Sequence, residues 1–253
     1  MITSKKLSKQ KNISHGFFNR AGGKSIGIYK SLNCGLGSKD KKSKIRANLK
    51  IVKDKISKKS KNIFLLHQIH SNKFVFIDKN FKFDTKKIKA DAVITDQPKI
   101  PIGILTADCV PILLHDNKRN MIAAIHAGWK GALKDVIKKV VQFMIKKGCS
   151  PESMTAAVGP CIALKNYEVK QDFIKRFIKK DKKNKIFFKK IKKKNYFGLN
   201  RYIFSQLKSL DIKSIEIINK DTFDEKNNFF SARRSIGRKE NDYGRNISVI
   251  MIN

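Results

Sequence analysis

The chain has 253 residues, of which 41% are hydrophobic, and its 57 Lys and Arg against 20 Asp and Glu give a formal net charge of +37. This length allows one sizeable hydrophobic core and is common for a single α/β domain. The basic start of the chain is not followed by an apolar segment, and no run of 18 apolar residues occurs, so neither a secretory signal nor a membrane span is expected. The four cysteines (Cys34, Cys109, Cys149 and Cys161) do not suggest a disulfide framework, so we expect reduced thiols in a cytoplasmic protein.

The positive charge would attract polyanions. The basic residues are mostly Lys, and Ile and Asn are also frequent, so AT-rich codon usage is the preferred explanation of the charge. The densest run, FIKKDKKNKIFFKKIKKKNYF, has neither an RNP-type aromatic pattern nor a zinc-finger spacing. We therefore do not expect nucleic acid to be the main partner. The Lys-rich stretch at about 179–194 is expected to be an exposed insertion in a single domain that spans residues 1–253.

Patterned segments alternate along the chain, and strands are predicted where apolar and β-branched residues lie between turn residues. The first half predicts one or two strands in NIFLLHQIHSNKFVFID, then buried strands in ADAVITD, in IPIGILTADCVPILLHD with breaks at Pro101 and Pro111, and in NMIAAIHAG. Residues 129–148 predict one helix, because apolar residues recur at 132, 133, 136, 137, 140, 141 and 144 and Gly148 is a natural residue beyond its end. The remainder predicts the strand TAAVGP, helices in QDFIKRFIKK and LNRYIFSQLKSL, and the strands SIEIIN and NISVIMI. This mixture predicts an α/β or α+β fold with a mixed sheet.

Three residues with metal-binding side chains lie near the ends of predicted strands. They are His70, Cys109 and His126, and a turn signal or break follows each. Strand ends are where α/β sheets assemble their sites. Because alternate residues of a strand face opposite sides, His67 would not reach the same metal as His70, and Asp108 would point away from Cys109. His67 and also His115 are therefore predicted to be structural.

Two imidazoles and one thiolate suit zinc, which favours nitrogen and sulfur ligands and keeps a fourth position open in catalytic sites. A metal would also deprotonate Cys109 despite the neighbouring Asp108 carboxylate. The spacing alone is a weak signal, since the ligands are far apart and no CxxC or HExxH pair occurs. Two other interpretations therefore stay open: a buried cysteine with hydrogen-bonded core histidines, and a nucleophile pair formed by Cys109 and His126.

Several stretches occur in an order that resembles one known family. They are HGFFNRAGGKSIGIYKSLNCGLG, LLHQIHS, ADAVITDQP, IGILTADCVPILL, AAIHAGWKG, VGPCIALKNYEV and FFSARRS, spread over roughly residues 15–252. Together they resemble the polyphenol-oxidase laccase-domain family, the YfiH-like proteins. The resemblance implies a layered α/β sandwich in which helices flank a mixed sheet, grouped with cytotoxic-necrotizing-factor-like domains. It also implies that His70, Cys109 and His126 bind a metal, which is zinc in most members and was claimed to be copper in some.

The activity that the resemblance implies is phosphorolysis of purine nucleosides. Adenosine, inosine, guanosine and S-methyl-5′-thioadenosine would be cleaved with phosphate to base and ribose 1-phosphate, and adenosine would also be deaminated. Phosphorolysis requires phosphate in line with C1′ of a cation-like sugar, and assistance to the departing purine. Deamination requires attack of water at C6, which a zinc ion can assist. We therefore expect purine nucleosides and phosphate as partners and zinc as cofactor, with copper less favoured.

Two further enzyme classes remain as alternatives. One is a copper-dependent polyphenol oxidase, against which the five histidines of the chain argue, because multicopper chemistry needs many more ligands. The other is a cysteine hydrolase that uses Cys109 and His126.

Further site residues are expected within the same motifs. Arg20 and Arg233 are arginines in a lysine-rich chain, and their fork-shaped donors suit phosphate, although surface ion pairs would also explain them. Asn33 is expected either to contact substrate or to cap a turn. Asp108 is the candidate catalytic base or support of the metal ligands, with a structural role as the alternative. Trp129 would stack on a purine or anchor its helix.

The chain departs from the family pattern near its C-terminus. Ala232 stands where Tyr is usual, and Asp221 stands where Cys is usual. The closing Gly-Arg pair is either Gly237-Arg238 or Gly244-Arg245, because KEND looks inserted between them. These departures leave the three metal ligands intact and affect the expected substrate contacts near the C-terminus.

Overall fold

Two β-sheets stack face to face at the centre of the fold, and helices cover their outer faces. The structure is a computed structural model and describes residues 1–83 and 88–253. The strands are β1 (Ile13–Phe18), β2 (Phe64–Leu65), β3 (Phe74–Ile77), β4 (Ala92–Thr95), β5 (Ile102–Thr106), β6 (Val110–Asp116), β7 (Met121–Ala127), β8 (Met154–Val158), β9 (Glu168–Val169), β10 (Phe188–Ile191), β11 (Lys194–Phe197), β12 (Ser214–Ile217) and β13 (Asn246–Ile252). The helices are α1 (Lys42–Ile56), α2 (Trp129–Leu133), α3 (Val136–Lys146), α4 (Gln171–Lys180), α5 (Leu199–Lys208) and α6 (Ala232–Gly237).

Both central sheets are mixed. The larger has six strands in the order β12-β8-β6-β7-β4-β3, and the smaller has four in the order β1-β13-β5-β2. In the larger sheet the outer pairs β12–β8 and β3–β4 are parallel, while the inner strands pair antiparallel. In the smaller sheet only the short β2 runs parallel to its neighbour β5. A third, three-stranded sheet has the order β10-β11-β9.

The buried side chains divide into three layers of core. Leu113 and Ala124 of the larger sheet share one cluster with Ile104 and Ile250 of the smaller sheet, so the two sheets pack against each other. Neighbouring residues of the same strands point to the opposite face and cluster with apolar residues of α3 and α5. The helix α1 covers the outer face of the smaller sheet, where its Val52 joins a third cluster. The result is a four-layer α/β/β/α sandwich, which confirms the predicted layered fold with a mixed sheet.

The predicted helix over 129–148 is interrupted. Its apolar face is continuous, since Ala132, Val136 and Val140 lie in one cluster, but α2 ends at Leu133 and α3 begins at Val136. Asp135 has a φ of 65°, a left-handed conformation that breaks the helical hydrogen-bond ladder. The prediction of a single helix was therefore wrong, although Gly148, with a φ of 90°, follows the helix as expected.

The Lys-rich stretch contributes regular structure. It contains the end of α4, a 3-10 segment (Lys182–Phe187), β10 and the first residue of β11. Its lysines are exposed, whereas Phe187 is buried in the cluster between the larger sheet and the helices. Within residues 1–83 and 88–253, no helix has the length and apolar character needed to cross a membrane.

Candidate metal site

Three segments that are distant in sequence bring His70, Cys109 and His126 together. One possible ligand atom from each lies within 4.8 Å of the others. The Cys109 Sγ is 3.8 Å from the His70 Nε2, and the two imidazole rings have centroids 4.8 Å apart at an angle of 79°. The three residues thus form a His-Cys-His group able to hold a metal ion, the arrangement expected for a site with an open fourth position.

The hairpin of β6 and β7 places two of the three side chains. Val110 pairs with Ala127 and Pro111 pairs with His126, so Cys109, one residue before β6, lies beside the end of β7. His126 shares a strand face with Ala124, which belongs to the core between the two sheets. The site therefore lies at the edge of that layer. Pro111 lies inside β6, so the predicted strand break falls at residues 107–109 instead.

Gly128 lacks a Cβ, and this leaves space for the Cys109 and His70 side chains. A Cβ at this position would lie 2.9 Å from the Cys109 Sγ and 2.9 Å from the His70 Cδ2. Carbon atoms do not approach that closely without displacement, so a larger residue would push the two side chains apart. The cluster itself therefore requires a glycine two residues after His126.

His70 reaches the site in a way that strand parity did not predict. The strand β2 ends at Leu65, and His70 adopts a left-handed conformation with a φ of 57°. The Gln68 side chain replaces strand pairing, because its amide donates to the Leu105 carbonyl and accepts from the Leu105 N–H, both at 2.7 Å. The premise of a regular strand through His67 and His70 was wrong, because β2 ends at Leu65. Both residues line one cavity, and His67 is not part of the candidate ligand group.

Asp91, a residue that sequence reasoning missed, holds two of the three ligands. Its Oδ1 lies 2.8 Å from the His126 Nδ1 and accepts the His70 N–H at 2.9 Å. Its Oδ2 accepts from the backbone N–H groups of Ile69 and Ser71 and from the Ser71 hydroxyl. This leaves the Nε2 of His126 as the nitrogen that faces the cluster. The available signal was a carboxylate at the start of the otherwise apolar strand AVIT, since a buried charge needs partners.

Contacts within the cluster and with Asp91 shift the pKa values of Cys109 and His126. Burial opposes ionisation of the Cys109 thiol, but the nearby His126 and His70 imidazoles lower its pKa to about 7. Burial disfavours the His126 imidazolium, but Cys109 and Asp91 raise the pKa of His126 above its usual value. The cluster thus favours a thiolate and a positive charge beside it, which a metal ion would supply in place of the proton.

A cavity of about 270 Å³ opens in front of the cluster, lined by all three candidate ligands. Its other walls include the glycine loop 35–37, the Gln68 and His67 side chains, and Tyr243 and Arg245 near the C-terminus. Arg245 is the one Lys or Arg among the described residues that line it. A cavity with a candidate metal-binding group and an arginine among its lining residues suits a small polar ligand.

The Asp108 carboxylate faces away from this cavity. It accepts hydrogen bonds from the Thr222 hydroxyl at 2.7 Å, the Ser231 hydroxyl at 3.0 Å and the Arg233 backbone N–H at 2.6 Å. Burial raises its pKa, and these three donors oppose that rise. The carboxylate therefore joins the segment before β6 to the start of α6, directly beside Cys109.

The predicted substrate-binding residues lie elsewhere than the cavity wall. Arg233 packs over the Tyr167 ring and donates to the Glu168 carbonyl, and it lines a second cavity with Trp129. Arg20 donates to the Lys30 carbonyl and lies 5.0 Å from the Phe230 ring centroid. Asn33 is fully buried behind the glycine loop. Trp129 begins α2, as predicted.

The chain belongs to the family described as multi-copper polyphenol oxidoreductase laccase, whose model matches residues 14–253. Two curated relatives named purine nucleoside phosphorylase are similar over nearly their whole length. The one from Haemophilus influenzae is 34% identical over 95% of this chain and 94% of its own. The one from Bacteroides thetaiotaomicron is 32% identical over 100% of this chain and 96% of its own.

The fold is similar to that of a solved structure as well. The crystal structure of the hypothetical protein YfiH from Bacillus licheniformis superposes with a TM-score of 0.86 at 28% identity, covering 95% of this chain and 93% of the other. The resemblance to YfiH-like proteins expected from the sequence is thereby confirmed.

Proposed function

We propose that this family member is a zinc-dependent purine nucleoside phosphorylase that also deaminates adenosine. The observation that carries the proposal is the His70–Cys109–His126 group, which lines a cavity together with Arg245, the one Lys or Arg among the described lining residues. Full-length similarity to two proteins named purine nucleoside phosphorylase supports the same reaction class. Phosphate and a purine nucleoside would then be the substrates, and adenosine, inosine, guanosine and S-methyl-5′-thioadenosine are the proposed nucleosides.

The donor set fits zinc. Two neutral imidazole nitrogens and a thiolate are ligands that zinc prefers, and the low pKa of Cys109 favours the ionised form that binds. A zinc ion bound here would supply a Lewis acid to the cavity. The family description names copper, but a multicopper centre needs several ligand groups, and the described residues contain one. Copper is therefore the weaker proposal.

The residues of the chain would act mainly by holding the two substrates in position. In phosphorolysis the bond between C1′ and the purine nitrogen breaks, a bond from C1′ to a phosphate oxygen forms, and the proton of the attacking hydrogen phosphate ends on the departing base. The cavity walls would hold both substrates in line, which lowers the entropic part of the barrier. Asp91 would keep His126 and His70 oriented throughout. Substrate contacts from Arg20, Asn33 and Arg233, and a catalytic role for Asp108, stay predictions.

A cysteine hydrolase is the second candidate, because one observation favours it. The Asp91 carboxylate, the His126 imidazole and the Cys109 thiol follow one another as the carboxylate, base and nucleophile do in hydrolytic triads. The second imidazole, from His70, has no place in that triad but completes a metal ligand set. The phosphorylase proposal therefore accounts for more of the site.

The deciding experiment measures metal content and nucleoside turnover together. Purified wild type, Cys109→Ala and the control Cys149→Ala would be assayed with adenosine and phosphate for adenine, ribose 1-phosphate and inosine. We expect about one zinc ion per chain and turnover in the wild type and the control, and loss of both in Cys109→Ala. Metal-free wild type that hydrolyses esters or amides, and loses that activity on alkylation of Cys109, would support the hydrolase instead.

The free state of all four cysteines agrees with a reducing compartment, so we place the protein in the cytoplasm as part of this proposal.

A further inference from the structure

We propose that Arg245 is the phosphate-binding residue of the metal-site cavity, held in place by Asn33. The inference rests on the proposed function, since phosphate is one of the two proposed substrates. It assigns to inorganic phosphate, or the phosphate group of ribose 1-phosphate, a position at the wall formed by Arg245, Tyr243 and the glycine loop 35–37.

The first argument is the placement of charge. The chain contains 57 Lys and Arg, yet among the described residues that line the cavity Arg245 alone is one of them. A dianion that enters a partly enclosed site needs a cationic or N–H donor to replace its water. Arg245 is the group that meets this need while sharing a cavity with the candidate metal ligands.

The second argument is that the Arg245 side chain is fixed in advance. Its guanidinium carbon lies 3.9 Å from the Tyr243 ring centroid, and its Nη1 donates to the Asp242 carboxylate at 3.0 Å. The Arg245 side chain packs directly against Gly35, where a Cβ would lie 2.8 Å from the Arg245 Cδ. An arginine held this way loses little further freedom when it binds an anion.

The third argument is that the Arg245 guanidinium keeps two N–H donors in an arrangement suited to phosphate. The hydrogen bonds of the Arg245 side chain to described residues all come from Nη1, and the Nε and Nη2 edge makes none. Two parallel N–H groups on that edge match two phosphate oxygens. The Asp242 Oδ2 is engaged by the Tyr29 hydroxyl and the Lys39 N–H, both at 2.8 Å, so this carboxylate anchors the arginine from one side.

Asn33 holds the backbone of Arg245 and of the glycine loop in place. Its side-chain oxygen accepts the Arg245 backbone N–H at 2.9 Å and the Gly35 N–H at 3.0 Å. Its amide nitrogen donates to Ser38 and Asp40, so the side chain cannot turn without losing four hydrogen bonds. Asn33 thus couples the glycine loop to Arg245, which makes it a positioning residue for phosphate.

The other arginines from the family-like motifs are engaged by the protein itself. Arg234 donates to three main-chain carbonyls, those of Thr222, Phe223 and Phe229. Arg238, of the alternative Gly-Arg pair, forms an ion pair with Glu225 beyond α6. The structure therefore assigns Gly244-Arg245 to the cavity and Gly237-Arg238 to the outer surface.

The binding test uses inorganic phosphate with the zinc-loaded protein. Phosphate would be titrated at constant ionic strength and followed by 31P NMR line width in wild type, Arg245→Met, Arg245→Lys and the control Arg238→Met. We expect saturable binding in wild type and in Arg238→Met, a loss of about 10- to 100-fold in affinity in Arg245→Met, and a smaller loss in Arg245→Lys. Equal affinity in wild type and Arg245→Met, or no saturable binding in wild type, would overturn the proposal.

The kinetic test separates phosphate binding from damage to the cavity. Arg245→Lys and Asn33→Ala should raise KM for phosphate in phosphorolysis by a larger factor than they lower kcat/KM for adenosine deamination, which consumes no phosphate, and the control Arg238→Met should leave both reactions unchanged. An equal fall in both reactions would show that Arg245 supports the whole cavity and would contradict the proposal. Saturable, Arg245-dependent phosphate binding in a wild type that cleaves no nucleoside would keep this site and reject the proposed function.

Discussion

The Asp91 carboxylate and the His126 imidazole form a buried pair at 2.8 Å, with exposed side-chain fractions of 0% and 4%. The same carboxylate oxygen accepts the N–H of His70, so one side chain orients two candidate metal ligands from different segments. Burial by itself would raise the pKa of Asp91, but His126 and Ser71 lower it to about 2. The carboxylate is therefore ionised at every pH at which the protein is expected to work.

Replacing Asp91 should weaken metal binding. In Asp91→Asn the amide keeps the shape but loses the charge, and its NH2 group opposes the N–H donors of residues 69–71. We expect the zinc affinity of the folded protein to fall about 10- to 100-fold, measured by competition with a chelator.

Asp116→Asn is the matched control for that experiment. Asp116 is also fully buried and accepts hydrogen bonds from backbone N–H groups and from Ser153, but it lies at the far end of β6. It should lower stability without changing zinc affinity. Equal zinc affinity in Asp91→Asn and wild type would show that Asp91 has only a structural role.

The Asp91 pair should also make the metal-free protein sensitive to acid. A carboxylate with a lowered pKa contributes stability that is fully present above its unfolded pKa, about 3.9, and is lost as the pH falls through its folded pKa. The folded pKa of Asp91 is about 2. The difference in free energy of unfolding between wild type and Asp91→Asn, from urea titrations, should therefore be constant between about pH 5 and 6 and shrink towards pH 2. It should also shrink as the pH rises from about 6.5 to 9, because the His126 imidazolium that Asp91 stabilises loses its proton there. A difference that does not change with pH would contradict the assigned pair.

Cys109 should be the reactive thiol of the metal-free protein. Its pKa is lowered to about 7, whereas burial raises the pKa of Cys149 to about 12 and those of Cys34 and Cys161 as well. The thiolate is the nucleophile, so iodoacetamide should modify Cys109 first, with a rate that rises through about pH 7. Peptide mapping by mass spectrometry would identify the site, and added zinc should protect it. Preferential labelling of another cysteine would show that the cluster does not activate Cys109.

Gly128→Ala should disrupt the ligand cluster while the fold persists. The new Cβ would meet Cys109 and His70 at 2.9 Å, so we expect zinc affinity to fall at least tenfold. Gly237→Ala is the control, because a Cβ there meets nothing within 4 Å and Ala favours the helix α6. The melting temperatures and zinc affinities of the two variants would be compared. An unchanged affinity in Gly128→Ala would contradict the requirement for a glycine at this position.

The sequence by itself determined most of the secondary-structure elements and the three candidate metal ligands. Strand and helix periods depend on local burial, which is why β4, β7, α4 and an α/β fold with a mixed sheet were predictable. The layered sandwich was implied by the family resemblance. His70, Cys109 and His126 were visible because their side chains are chemically distinctive and lie near strand ends, and the family-like motifs pointed to the same three.

Tertiary structure alone decided how the site is assembled and what surrounds it. Strand parity failed at His70 because the Gln68 amide, not a strand, holds that segment to Leu105, a long-range contact with no local pattern. Asp91 was missed because its hydrogen-bond partners come from two other segments. The sequence could not show whether Arg238 or Arg245 lies at the site, because the contact between Arg245 and Gly35 joins distant segments. Hydrogen bonds between distant segments depend on the packed fold, whereas the periodic burial of a strand or helix is visible in the spacing of apolar residues along the sequence.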